Sequence, residues 1–448
     1  MRPLRRTIAA AFLGSAICLI GVAARAADPD ILVHSFGGVD GGVTPGSLTG
    51  HQTGAASDTW ALYGATYSGG INSEDLCGNA ADGCGVVYKL TPPLPGGSHW
   101  IETRLYVFND TDGGYAPTTY PLAFDASGAL YGTTIGGGDS APCGTIFRLT
   151  PPRPGQYFWN KTTLRSLSLA ANDCYAFSGV IVDGAGALYG EAGGTTYTNR
   201  TVYKLTPPGS AGGAWSKTVL YAFTDGEIVY GGLAMDATGA LYGGSDNGVT
   251  DFGVVFKLTP PTAGQTVWTR RDLYRVPRVN GGLHGPISGV TLGPGGAIYF
   301  SASPKADTSP NPVLLGAVFS LTPPAPGATA WTPTLLHRFN GLDGDISGAL
   351  SILDGSGALY GMTQRSYDAS GAARGGVAFK LTPPPTGQTA WTETTIGLPL
   401  DTDSDYALGP VVTDPSGTNL YAVTQAGGVS LAGTVFRVPW MRETGDMK

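Results

Sequence analysis

The chain spells one sentence seven times. Aligned on a tyrosine it reads WALYGAT (Tyr63), GALYGTT (Tyr131), GALYGEA (Tyr189), GALYGGS (Tyr242), GAIYFSA (Tyr299), GALYGMT (Tyr360) and TNLYAVT (Tyr421). Each copy is followed by an aromatic-basic-aliphatic run: VVYKLTPP, TIFRLTPP, TVYKLTPP, VVFKLTPP, AVFSLTPP, VAFKLTPP and TVFRVPW. The tyrosines stand 53 to 68 residues apart, so the repeating object is a whole supersecondary unit and not a short fibrous repeat.

Each unit divides into four strands by its turn chemistry. In the second copy YPLAF alternates and stops at DASG, where Asp125 and Gly128 supply a tight turn. ALYGTT follows, then a glycine-rich loop, then GTIFRL, which ends at TPP because proline cannot continue a ladder. A fourth strand, WNKTTLRSL, opens on a tryptophan. The D-x-x-G turn returns at Asp183, Asp236, Asp354 and Asp414, and the strand-opening tryptophan at Trp100, Trp215, Trp268, Trp331 and Trp391. No segment after the first 26 residues carries a 3.6-residue apolar period, so the chain reads as all-β.

Seven four-stranded antiparallel units match the blades of a β-propeller, whose circular closure protects strand edges, better than an open solenoid. The two ends of the chain favour the ring. The last unit stops at Trp440 without a fourth strand, while Ile31–Phe36 (ILVHSF) looks like the fourth strands RLYVF, VLYAF and LLHRF. The expected closure pairs Ile31–Phe36 with residues 433–438, completing the seventh blade.

Residues 1–26 have a basic head, a short apolar stretch and a small-x-small end, and read as a cleaved signal peptide. That leaves 27–440 as one propeller domain and 441–448 as a short polar tail, in a monomer exported to the periplasm or medium with no further membrane span. Cleavage removes four arginines and moves the formal charge from -7 to -11, which argues against nucleic acid or an anionic membrane as partner. Four cysteines remain in an oxidising compartment. Cys84 and Cys143 hold the same place in consecutive units and so lie a full unit apart, which predicts Cys77 with Cys84 and Cys143 with Cys174.

The recurring residues first ask for structural roles. The glycine after most LY pairs is expected to admit a neighbour's close approach. Lys89, Arg148, Lys204, Lys257, Lys380 and Arg437 are read as stems packed along the blade with their heads in water, in preference to a basic ring for an anion. His34 and His337 occupy equivalent strand positions, which reads as packing. No pair of His or Cys has zinc-ligand spacing, and DTDSDYALGPVV, which begins like a calcium loop, lacks the central glycine and final glutamate. No catalytic elbow, H-E-x-x-H or phosphate loop is present, so the sequence assigns no catalytic residue, metal or cofactor.

With the short strand innermost, the D-x-x-G turns and TPP loops emerge on one side of the ring. The loops after LYG and those joining successive blades emerge on the other, and these vary. The same face is expected to carry Asp112, Asp225, Asp343 and Asp403, with Asp40, as candidates for binding a cation or sugar hydroxyls; the plainer reading is that Asp-Gly makes turns.

LYGTTIGGG followed by CGTIFRLTP, then by a strand ending in an aromatic and a GLDG-type turn, resembles the Gloeo/Verruco (GloVer) tandem repeat of secreted and surface-anchored bacterial proteins. The resemblance covers nearly all of the chain after residue 26 and brings no general activity or catalytic set with it. Some members carry a C-terminal sorting anchor, whereas this chain ends MRETGDMK with no hydrophobic tail, so release is expected. Two functions follow: a secreted module binding a polysaccharide, surface component or protein through the variable face, or a propeller hydrolase or lyase acting on an extracellular carbohydrate or lactone.

Overall fold

A computed structural model describes residues 32–438, apart from 38–44, 53–59, 71–82, 95–96, 110–111, 115–120, 140–142, 157, 172, 175, 177, 194–199, 211, 225–226, 248–251, 263, 277–282, 287–288, 305–314, 346, 354, 368–372, 398–406 and 429. The signal segment, the C-terminal tail, Ile31, Asp40, Cys77, Asp225 and Asp403 lie outside the described residues.

Seven four-stranded antiparallel sheets follow one another as the blades of a β-propeller. In the third blade, for example, the strands run Ile181–Val182, Leu188–Ala192, Thr201–Thr206 and Ser216–Ala222 from the inside out. The fifth blade divides its inner strand between Leu283–Pro286 and Thr291–Leu292, and the sixth adds a small hairpin, Arg365–Tyr367 with Ala373–Gly375. Helix among the described residues is confined to one 3-10 turn, Pro294–Gly296.

The seventh blade takes three strands from the end of the chain and its outer strand from the beginning. Leu32–Ser35 pairs with Thr434–Val438, with His34 opposite Val435 and Ser35 opposite Thr434, and the Phe36 N–H donates to the Gly433 carbonyl at 3.1 Å. The ring is therefore closed by main-chain hydrogen bonds between the two ends.

Among the described residues the apolar core divides into seven clusters, one at each blade junction. The first and second blades share Tyr63, Val87, Leu130 and Phe147, and the third and fourth share Val202, Phe223, Leu241 and Phe256. The seventh and first share Val33, Phe36, Tyr88, Val423 and Val435. A sheet buried on both faces needs apolar residues of both parities, which is why the middle strands read as near-continuous apolar runs.

The recurring glycine admits the close approach expected of it, and the structure identifies the neighbour. A Cβ on Gly64, Gly132, Gly190, Gly243 or Gly361 would meet the aromatic side chain of its cross-strand partner, Tyr88, Phe147, Tyr203, Phe256 or Phe379, at 2.3–2.6 Å. The close approach is thus made within the blade, by a ring lying over the glycine, and not by the neighbouring blade. The fifth blade puts Phe300 there, and its ring stacks on Phe319 at 5.4 Å.

The D-x-x-G turn also does more than reverse the chain. In the second, third and fourth blades one carboxylate oxygen of Asp125, Asp183 or Asp236 accepts main-chain N–H groups of the turn, including those of Ala129, Ala187 and Ala240 at 2.9–3.1 Å. The other accepts the hydroxyl of the tyrosine six residues on, at 2.9, 3.1 and 2.9 Å. The blade's lysine then lies over that same tyrosine: Lys204 over Tyr189 at 5.2 Å and Lys257 over Tyr242 at 4.9 Å. Lys257 also reaches Asp236 at 3.6 Å. These lysine heads are anchored inside their own blade, a more specific role than the solvated heads read from the sequence.

Candidate functional site

Two kinds of loop leave the propeller, and their lengths separate its faces. The six loops from third to outer strand, residues 92–100, 151–159, 207–215, 260–268, 323–331 and 383–391, are all nine residues long. Those from second to third strand range from the four residues of 248–251 to the twenty of 66–85. Because the strands alternate in direction, these variable loops share a face with the connections between blades. Cys143, in the second blade's variable loop, is bonded to Cys174 in the connection that follows that blade, and Cys84 is also disulfide-bonded.

The blade connections hold their acids in a repeated arrangement. After the second blade, Asp173 is wholly buried and accepts the Ser168 N–H at 2.8 Å, the Arg165 guanidinium at 2.9 Å and the Lys217 ammonium at 2.9 Å. Burial alone would raise this carboxyl, but Ser168, Lys217 and Arg165 outweigh it and hold it below its ordinary range. After the third blade, Glu227 receives a two-pronged contact from Arg270 at 2.7 Å on both oxygens, and Arg270 lies over Tyr221, Phe223 and Phe256. After the first, Asp112 accepts the Asn109 N–H at 3.0 Å and the Tyr106 hydroxyl, while Lys161 donates to the Asp112 main-chain carbonyl.

The three cations come from one register position. Lys161, Lys217 and Arg270 lie opposite Leu149, Leu205 and Leu258, each two residues after its tryptophan on the outer strand of the next blade. At these three junctions a cation from the following blade meets the acid residue, through the carboxylates of Asp173 and Glu227 and through the main-chain carbonyl of Asp112. The sequence reading passed over these cations, although a basic residue two places after Trp159, Trp215 and Trp268 was a visible signal.

After the fifth blade the pattern changes. Asp343 accepts the Asn340 N–H at 2.7 Å, and its second oxygen lies 2.9 Å from His337 Nε2. The residue opposite Leu381, at the cation's register, is Glu393. Burial and then Asp343 push the Glu393 carboxyl up, with His337 acting the other way. His337 therefore holds a polar contact and does not merely pack.

Asp112 and Asp343 thus lie on the variable face with their carboxylates engaged by their own turns and strands. These two, the described members of the acid row, belong to different junctions.

A further acid lies on the second strand of the third blade. Glu191, 1 % exposed, meets Arg200 at 3.6 Å, the residue just before the neighbouring strand of its blade. Burial pushes its carboxyl up to about 7, against the pull of Arg200 and of hydrogen bonds. A folded-state value above the unfolded one gives stability that is complete below the ordinary glutamate range and lost as pH rises through 7. Raising pH from 4.5 to 8 should remove about 2–3 kcal/mol of stability that Glu191→Gln retains. Urea titrations of both proteins at the two pH values measure this, and parallel pH dependences would refute it.

These features define the protein class as a seven-bladed β-propeller with a uniform face, a variable face and charged inter-blade latches. The sequence profile described as the Gloeobacter/Verrucomicrobia repeat matches residues 76–309, more than half of the chain, and the chain belongs to that repeat family. No curated protein matches it in sequence. Among solved structures, a PL25 polysaccharide lyase (ulvan lyase) is similar at 12% identity and TM-score 0.52, over 89% of this chain and 94% of that one. A Penicillium chrysogenum alpha-L-arabinanase is similar at 12% identity and TM-score 0.45, over 91% and 97%. An oligogalacturonate lyase is similar at 11% identity and TM-score 0.48, over 90% and 98%. At these identities the likeness is one of fold. Among the described residues no helix is long and apolar enough to cross a membrane.

Proposed function

We propose that the protein is an exported binding module whose variable-loop face engages an extracellular polymer, a neutral polysaccharide in preference to a polyanion. The observation that carries this reading is the contrast in loop length: six nine-residue loops on one face against four to twenty residues on the other. Packing requires no such diversity, and loops on a rigid scaffold are where recognition is placed. The variable loops are rich in glycine, serine, threonine, asparagine and aspartate, short hydrogen-bonding groups suited to hydroxyls. The charge of -7, or -11 after loss of residues 1–26, disfavours an anionic polymer. Export is supported by the basic-apolar leader and by the Cys143–Cys174 disulfide, a bond suited to an oxidising compartment.

Exposed apolar side chains on this face give the test. Tyr67 and Leu431 lie in second-to-third-strand loops and Leu342 in a blade connection, with Leu342 and Leu431 more than 60% exposed. Leu431 also holds a φ of 55°, the one positive value among described non-glycine residues. Backbone strain of this kind is kept where a loop shape matters. On an array of neutral and charged glycans the protein should bind neutral polymers, and Tyr67→Ala with Leu342→Ala should weaken binding at least tenfold. Phe158→Ser, on the uniform face, should leave it unchanged. Loss on the uniform-face variant alone, or binding only to polyanions, would overturn the reading; turnover of an arrayed glycan would replace it with the hydrolase or lyase alternative.

A further inference from the structure

We propose that His337, Asp343 and Glu393 bind a divalent cation of the zinc or manganese class at the junction of the fifth and sixth blades. Each residue offers one ligand atom, and the three atoms lie within 4.8 Å of one another. Among the described residues this is the one such trio of histidine, cysteine and carboxylate ligands. His337 Nε2 and Asp343 Oδ2 are 2.9 Å apart, about the separation of adjacent ligands around an ion with bonds near 2.1 Å. The Asp343 side chain is 11% exposed and that of His337 18%, so the ion would be partly shielded yet reachable from solvent.

The repeat itself supplies an independent reason to expect a cation. At the second junction Asp173 is met by Lys217, and at the third Glu227 is met by Arg270. Lys217 lies opposite Leu205 and Arg270 opposite Leu258, and the same register opposite Leu381 belongs to Glu393. At these two junctions the fold places positive charge beside the acid, whereas here it places a second carboxylate. Two partly buried carboxylates meet beside an imidazole here, and a divalent ion would offset their like charge as the lysine or arginine does at the second and third junctions.

The donor set selects the ion. Calcium takes six to eight hard oxygen ligands, whereas one imidazole with two carboxylates suits zinc or manganese and leaves coordination positions for water. The site would fasten the sixth blade to the fifth from the variable-loop face, independently of what that face recognises.

Untagged protein freed of metal with a chelator provides the test. Titration with ZnCl2 or MnCl2, followed calorimetrically and by elemental analysis after gel filtration, should show a bound equivalent that Glu393→Lys and His337→Ala both lose. Metal at 100 times its Kd should raise the thermal midpoint of the parent protein by about 3 °C. Glu393→Lys recreates the acid-cation pairing of Asp173 and Lys217, so it should fold and melt independently of metal. Equal uptake by the parent and Glu393→Lys would overturn the proposal, as would no uptake by the parent or a preference for CaCl2.

Discussion

Replacing Phe36 with alanine should destabilise the propeller by about 3–5 kcal/mol, the range for truncating a fully buried phenylalanine. Phe36 has no solvent exposure and sits 5.0 Å from the ring of Tyr88, a first-blade residue, in the cluster that joins the last blade to the first. It follows the outer strand that the beginning of the chain gives to the seventh blade, and its N–H is bonded to Gly433. The truncation therefore leaves a cavity at the seam where the two ends meet. Seam contacts join residues nearly a chain length apart, so they close the ring only after a large loop-closure entropy has been overcome. Urea denaturation should show the loss, and limited proteolysis should cut the variant first near its ends. Phe158→Ala, at a position 87% exposed, should stay within about 0.5 kcal/mol of the parent. A similar effect for both substitutions would mean that the seam does not hold the ring.

The double replacement Cys143→Ala and Cys174→Ala should cost about 4 kcal/mol. The cysteines are 31 residues apart in sequence, and opening a loop of that size returns this much conformational freedom to the unfolded chain. Both are buried in the cluster between the second and third blades, and Cys174 follows Asp173, the buried acid of the same junction. The bond and the Asp173 latch fix the same connection, so the double variant should also weaken the hold of Lys217 on Asp173. Chemical denaturation of the oxidised parent and the double variant measures the difference. A cost below about 1 kcal/mol would show that packing and the ion pairs hold this connection without the bond.

Much of the architecture was legible because it is written redundantly. Seven copies of LYG and of the aromatic-basic-aliphatic run state the strand order seven times, and proline, glycine and Asp-x-x-Gly mark the stops by local backbone chemistry. The unmatched ILVHSF at one end and the unfinished unit at the other stated the closure. What surrounds those residues was less legible. The glycine of LYG signals that something approaches it closely, but cross-strand register and not sequence proximity decides that the ring over it comes from the adjacent strand. Asp236, Tyr242 and Lys257 were each noticed as a recurring residue, and only the folded blade shows that they touch.

The division follows from the range of the forces. Turn propensities, alternation and the repeat are properties of a few consecutive residues, so the sequence by itself determined the number of blades, their four strands and the circular order. Contacts between blades join residues about 45 to 50 positions apart, such as Asp173 with Lys217 or Asp343 with Glu393, and their partners depend on how neighbouring sheets are turned against each other. Charge pairs are decided over a few ångströms, and those ångströms exist only once the ring has closed. Only the tertiary structure could therefore show that Asp173 and Glu227 are latched by Lys217 and Arg270, and that Asp343 meets Glu393 at the register where those two meet a cation.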